Sequence, residues 1–262
     1  MLDHSAFAPL DNPTIAAFLF HPRKEWEPPT AGASDHAIPV SSSVRLVCRS
    51  YPARPSSPIV LYFHGNGEVV ADYDGIAHLF QELDLNLFVA EYRGYGGSTG
   101  TPSFTTLFAD AEAIFRYVAD MAGSAERPRS IFVMGRSLGS VPALALAYAH
   151  PDVVRGLIIE SGFGSPARLL SYMKMPLADD EASQVEVASQ RIVRGVTVPA
   201  LLIHGANDLL VPLSEAQYLH DDLGSKEKTL FVIPRAAHNN LLNVSEQRYF
   251  WAIDRFLEGK TW

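Results

Sequence analysis

From residue 58 onward the chain repeats one pattern, a short run of β-branched and aromatic residues followed by a stretch with helical spacing. Ile59–Phe63 is followed by helical spacing over Val69–Leu83, Leu85–Tyr92 by Phe104–Ala122, and Ile131–Met134 by Leu138–His150. Leu157–Ile159, Ala200–Ile203 and Leu230–Ile233 continue the strands, with helices expected over Ser214–Leu223 and Ser245–Leu257. In Phe104–Ala122 the residues Leu107, Phe108, Ala111, Ile114, Phe115 and Val118 share one face. Ser103 is placed to cap that helix and Gly123 to stop it. Strands that are apolar throughout are buried on both faces. The expected fold class is therefore α/β, with a mainly parallel central sheet and helices on both faces. Right-handed crossovers put every parallel strand's C-terminal end on one edge, and ligands of such sheets bind outside that edge. Chemistry is expected just after the strands.

Two intervals depart from the rhythm. Residues 1–57 read as a loosely organised N-terminal segment: Pro28-Pro29 with Gly32, and Pro52 to Pro58, mark loops; Ser43 to Cys48 reads as a strand; Ile15 to Phe20 is an apolar run of undecided type. Residues 162–197 are rich in charge and small residues, with two short helical stretches at most, and read as a short lid insertion over the site or as a surface excursion. Residues 1–262 are read as a single domain, because 262 residues of which 47% are hydrophobic can bury one large core.

Composition narrows the function classes. A formal net charge of -8 with no Lys/Arg run leaves no electrostatic footprint for nucleic acid or anionic lipid. The one cysteine, Cys48, rules out an internal disulfide and a multi-cysteine metal site, and reads as a small buried hydrophobe in a reducing compartment. Met-Leu-Asp-His-Ser at the start is not a secretory signal, and Leu2 stands where myristoylation requires glycine. No apolar stretch reaches the roughly 18 residues of a membrane span. The expectation is a cytoplasmic protein with no nucleic-acid partner and no stable membrane anchor; its oligomeric state is not readable. With no export signal, the sequon Asn243-Val244-Ser245 reads as meaningless.

G-x-S-x-G occurs twice, as Gly135-Arg136-Ser137-Leu138-Gly139 and as Gly96-Gly97-Ser98-Thr99-Gly100. At ordinary glycine frequency a chain this long shows a chance match about one time in ten, so context decides. A nucleophile elbow needs a strand before it and a helix after it, which exposes the hydroxyl at the sheet edge. The copy at 135 has both, whereas the copy at 96 leads into Thr101-Pro102, so Ser98 reads as a turn residue. A serine nucleophile needs a base. Of nine histidines, His238 lies in the loop after the last strand, at the expected edge. The third member must orient the imidazole and stabilise its charged form. Asp208, just past the strand Ala200–Ile203, is preferred, with Glu160 at the end of the preceding strand as competitor. Two N–H donors complete an oxyanion hole. One is assigned to Leu138, after the nucleophile, and the other to Asn66 in the glycine-containing loop His64-Gly65-Asn66-Gly67, where His64 reads as a structural brace.

Together these residues resemble the α/β-hydrolase superfamily, in particular its small depalmitoylase-like members. The resemblance rests on Tyr62-Phe63-His64-Gly65-Asn66-Gly67, Glu91 to Ser98, Gly135 to Ser140, His204-Gly205-Ala206-Asn207-Asp208 and His238-Asn239-Asn240. It covers residues 58 to 258 and implies the α/β-hydrolase fold and hydrolysis of esters, thioesters or related acyl bonds without a cofactor or metal, the partner being a small acyl ester. The cysteine-rich lipidated N-terminus of the family's membrane depalmitoylases is missing here. Three rival readings stay open. Gly162-Phe163-Gly164-Ser165-Pro166-Ala167 fits a dinucleotide fingerprint but lacks an acidic residue at the end of a following strand. A binding protein on an inactive hydrolase fold is the second. The third is an aminopeptidase in which Asp179, Asp180, Glu181 and Glu186 hold a substrate amine.

Overall fold

The computed structural model describes residues 4–124, 129–175 and 177–259. Its frame is one eight-stranded sheet: β1 Ser34–Pro39, β2 Arg45–Tyr51, β3 Ile59–Phe63, β4 Asn86–Ala90, β5 Ile131–Arg136, β6 Val154–Glu160, β7 Ala200–Gly205 and β8 Lys228–Ile233. The order is β1-β2-β4-β3-β5-β6-β7-β8. β3 to β8 pair in parallel with one another, while β1 and β2 at one edge pair antiparallel, β2 against β4. Every residue of β3, β4 and β7 is buried, as the unbroken apolar runs require of strands covered on both faces. β8, at the open edge, is only half-buried.

The helices are α1 Pro13–Leu19, α2 Ala77–Glu82, α3 Phe104–Gly123, α4 Ser140–Ala149, α5 Pro166–Tyr172, α6 Asp179–Gly195, α7 Leu213–Asp222 and α8 Leu241–Leu257. α3 begins where its sequence signal places it, with Ser103 Oγ accepting the Thr106 N–H at 3.2 Å, and runs one residue past the expected end, through Gly123 to a cap at Ser124. α4 is short, largely apolar after Ser140, and starts after a 3-10 turn over Ser137–Gly139. One hydrophobic core lies between the sheet and α3, α4 and α6, and a second on the opposite face under α2 and α8.

Three expectations need correction. Residues 4–57, the described part of the N-terminal segment, are not loosely organised. They supply two strands, α1, and a 3-10 helix His4–Asp11 whose Phe7 and Leu10 join the main core. Arg49 of β2, fully buried, anchors this edge by donating to Asp35 at 2.6 Å, to Asp74 at 3.1 Å and to the Glu27 carbonyl at 2.6 Å. The helix expected over Val69–Leu83 is split into a 3-10 turn Val70–Tyr73 and α2. The Asp72 carboxylate accepts the Val69 N–H at 3.0 Å and closes the first turn on itself. In the interval 162–197, α6 runs for 17 residues rather than a short stretch. Asp179, Asp180 and Glu181 sit at its positive end and Arg194 at its negative end. Val185, Ser189, Ile192 and Val193 form its buried stripe, packed against α4 and the N-terminal 3-10 helix, so this half of the interval belongs to the helix layer.

Candidate active site

The C-terminal edge of the sheet gathers the expected residues. β5 leads into Ser137, whose backbone has φ +50°. A non-glycine residue in this region carries strain of order 1 kcal/mol, which the surrounding packing must hold in place. The packing is tight here. A Cβ on Gly135 would lie 2.2 Å from the Gly139 carbonyl oxygen, and one on Gly139 would lie 2.0 Å from the Phe63 carbonyl oxygen. Only glycines let the turn fold back on β5 and approach β3 this closely. Ser140 Oγ donates to the Ser137 carbonyl at 2.7 Å and accepts the Phe163 N–H at 3.3 Å, fastening the turn to the loop after β6.

The result is a continuous hydrogen-bonded chain. Ser137 Oγ lies 3.1 Å from His238 Nε2, and His238 Nδ1 lies 2.7 Å from Asp208 Oδ2. A carboxylate can only accept, so Nδ1 carries the proton and Nε2 presents its lone pair to the serine hydroxyl. Asp208 is itself held: its Oδ1 accepts the N–H groups of Leu210 at 3.0 Å and Val211 at 2.9 Å. The loops bearing Asp208 and His238 are joined by Asn207 N–H donating to the Ala236 carbonyl at 2.8 Å. Asp208 and His238 are buried and Ser137 is partly exposed.

His204, one helical-turn spacing before Asp208, donates its ring N–H to the Val211 carbonyl at 2.8 Å. Its Nε2 also lies 3.4 Å from Asp208 Oδ2. Burial pushes its pKa below the ordinary value, so it stands as a neutral brace under the acid loop. Glu160, the competing acid, is placed elsewhere. Its Oε2 accepts the hydroxyls of Tyr62 at 3.0 Å and Tyr249 at 2.7 Å, and its Oε1 accepts from Arg136 Nε at 3.2 Å.

The loop after β3 lies beside the elbow. The Asn66 side chain is committed: its Oδ1 accepts the His21 N–H and the Tyr95 hydroxyl, both at 2.8 Å, and its Nδ2 lies 2.9 Å from His21 Nδ1. His64 is fully buried, 2.6 Å from Glu91 and 2.8 Å from the Gly65 carbonyl. Burial disfavours its charge, but the Glu91 carboxylate outweighs that and raises its pKa. Ser98 accepts the Val47 N–H at 2.9 Å, as a buried turn residue. Cys48 is buried, and that burial pushes its thiol pKa far up. Among the described residues no cluster of metal-ligating side chains is present, and no helix is long and apolar enough to cross a membrane.

Arg136, Glu68, Ser140, His204, Tyr95 and His21 were not singled out from sequence. For Arg136 the signal was adjacency to the nucleophile; for the others it lay only in three dimensions.

The profile of the family described as Hydrolase_4, serine aminopeptidase S33, matches residues 54–179 and 184–244. The chain belongs to this family. It is thereby an α/β-hydrolase-superfamily enzyme, and its sheet of parallel strands flanked by helices is the fold of that superfamily. The chain is 31% identical to protein bem46 of Schizosaccharomyces pombe over 77% of its own length and 68% of that protein's. It is 28% identical to human alpha/beta hydrolase domain-containing protein 17B over 77% of this chain and 67% of that one. Among solved structures, the Pyrococcus furiosus esterase Pf2001 superposes with a TM-score of 0.72 at 19% identity, covering 92% of this chain and 99% of the esterase. At that identity the likeness speaks for the fold.

Proposed function

We propose that this α/β-hydrolase cleaves carboxylic ester or thioester bonds through an acyl-enzyme intermediate. Ser137 is the nucleophile, His238 the general base, Asp208 the orienting acid, and the backbone N–H groups of Asn66 and Leu138 the oxyanion hole. The observation that carries the reading is the unbroken chain Ser137–His238–Asp208 at 3.1 and 2.7 Å, on the sheet edge where such folds bind ligands.

The steps follow from that chain. Ser137 Oγ attacks the carbonyl carbon while its proton passes to His238 Nε2. The imidazolium is stabilised by Asp208, and the oxyanion by the two N–H groups. Collapse breaks the bond to the alcohol or thiol, which leaves with the proton from Nε2. A water then attacks the acyl-enzyme carbonyl, giving its proton to Nε2. The carboxylic acid departs as Ser137 Oγ regains its proton. The Asn66 side-chain amide is occupied by His21 and Tyr95, so the donor proposed from this loop is the backbone N–H.

Short to medium acyl groups are the expected substrates. The apolar space among α3, α4 and α6, lined by Phe7, Val141, Leu144, Phe163 and Ile192, is only about 20 Å³ and offers no ready-made channel for a long chain. The name of the matched family raises aminopeptidase action as a second reading. Against it, Asp179, Asp180 and Glu181 are exposed in the first turn of α6 and complement its dipole, and Glu186 binds Ser165 and Arg168. A panel of nitrophenyl esters of increasing chain length, acyl thioesters and aminoacyl amides tests the proposal. Esters or thioesters of short and medium chains should turn over, Ser137→Ala should abolish it, and kcat/KM should fall for longer chains. Preference for aminoacyl amides would replace the ester reading.

A further inference from the structure

Arg136, the residue before the proposed nucleophile, has no part in the chemistry above, yet its guanidinium reaches four groups on three other segments. Nη2 donates to the His238 carbonyl at 3.1 Å and to Asn239 Oδ1 at 2.8 Å. Nε donates to Glu160 Oε1 at 3.2 Å, and Nη1 is paired with Glu68 Oε1. Glu68 carries the tie onward, because its Oε2 accepts the Gly65 N–H at 2.6 Å and the Tyr73 hydroxyl at 2.9 Å. A Cβ on Gly65 would lie 2.9 Å from Arg136 Nη1, so glycine there is what admits the guanidinium to the loop.

We infer that Arg136 is the positioning residue of this site, fixing the His238 loop and the oxyanion loop relative to the elbow. This rests on the triad reading above. The guanidinium suits the task because it is planar and its donors diverge, so one side chain can tie groups that no single backbone element joins. A lysine has three donors on one atom and cannot span the same acceptors. The same network takes up the Glu160 carboxylate, whose other oxygen is held by Tyr62 and Tyr249. The buried Glu160 carboxylate and the partly exposed Glu68 carboxylate keep Arg136 charged against the cost of burial. Arg136 also balances their charge close to His238, which otherwise faces Asp208 and, beyond it, neutral His204. Beside the network lies a cavity of about 160 Å³, lined also by Asp72 and Leu241.

Arg136→Met tests the inference, with folding verified by circular dichroism and Tm. The kcat for a short-chain nitrophenyl ester should fall about ten- to a hundredfold, as for a slight misplacement of catalytic groups, while KM stays within about threefold. The acid limb of kcat/KM should move to higher pH, because unbalanced Glu68 and Glu160 favour the imidazolium. Adding Glu68→Gln and Glu160→Gln should return the limb toward wild type and leave kcat low, separating charge from position. If Arg136→Met does not fold, Arg136→Lys carries the test, with a reduced kcat and unchanged KM expected. A folded variant with wild-type kcat and pH profile, or a loss confined to KM, overturns the inference. If Ser137→Ala is inactive in the same assay, that result leaves the triad standing. Hydrolysis retained in Ser137→Ala would instead remove the triad itself.

Discussion

Glu160 Oε2 accepts the Tyr249 hydroxyl at 2.7 Å, which turns this carboxylate toward α8 and into a hydrogen-bonded network rather than toward the imidazole. Burial drives the Tyr249 and Tyr62 pKa values well up, so both remain neutral donors to it. In the proposed mechanism the orienting role falls to Asp208. Asp208→Asn should therefore keep the fold and lose on the order of 10⁴ in kcat, the loss known for a triad acid. Glu160→Gln should cost far less, because an amide oxygen can still accept both tyrosines. Steady-state kinetics on folded variants decides. An active Asp208→Asn beside an inactive Glu160→Gln would reverse the assignment.

Ser137 has φ +50°, and its strain is separable from its chemistry. Ser137→Gly should be more stable than Ser137→Ala by about 1 kcal/mol, since only glycine adopts this conformation without a Cβ penalty. For a chain of this size the difference corresponds to a few degrees in Tm, roughly 2–4 °C. Both variants should be inactive. Equal melting temperatures would mean that the elbow relaxes without the hydroxyl.

Tyr95 holds the Asn66 side chain at 2.8 Å and accepts the His21 N–H at 2.9 Å. Tyr95→Phe removes one to two hydrogen bonds behind the proposed oxyanion loop, each worth about 1 kcal/mol. The expected result is a kcat lowered about five- to tenfold with little change in KM. A pure KM effect would place this loop in substrate binding instead.

The parallel half of the fold was legible because doubly covered strands such as Ile59–Phe63 carry no polar residue and so announce themselves. β1 was not, because Ser-Asp-His-Ala-Ile-Pro is an edge strand with polar side chains, and only Ile38 is buried. Ser137, Asp208 and His238 could be placed because each follows a strand at the predicted edge. The Arg136 network could not, since its partners Glu68 and Asn239 lie 68 and 103 positions away in sequence and nothing local signals the pairing. The order of the N-terminal segment is hidden for the same reason. The 3-10 helix that carries the buried Phe7 and Leu10 packs chiefly against α3 and α6, far along the chain.

Two buried histidines should titrate in opposite directions. His64 beside Glu91 is raised above its ordinary 6.5, and His204, desolvated, is lowered below it. The stability contributed by His64 is full below its unfolded value and is lost as pH rises through the higher folded value. His204 resists protonation, so its burial costs stability as pH falls below its unfolded value. Histidine ring NMR across pH 4 to 9, assigned by single substitutions, measures both. The same direction of shift for the two rings would contradict the charge arrangement described here.

Ser137 is the proposed carrier of the acyl group. Reaction with a fluorophosphonate followed by peptide mapping of the adduct measures this most directly. One equivalent of phosphonate is expected, on Ser137 within Gly135–Gly139, none on Ser98, and labelling abolished by Ser137→Ala and by loss of His238. Labelling that persists in Ser137→Ala, or an enzyme that turns over esters without ever being modified at Ser137, would contradict it.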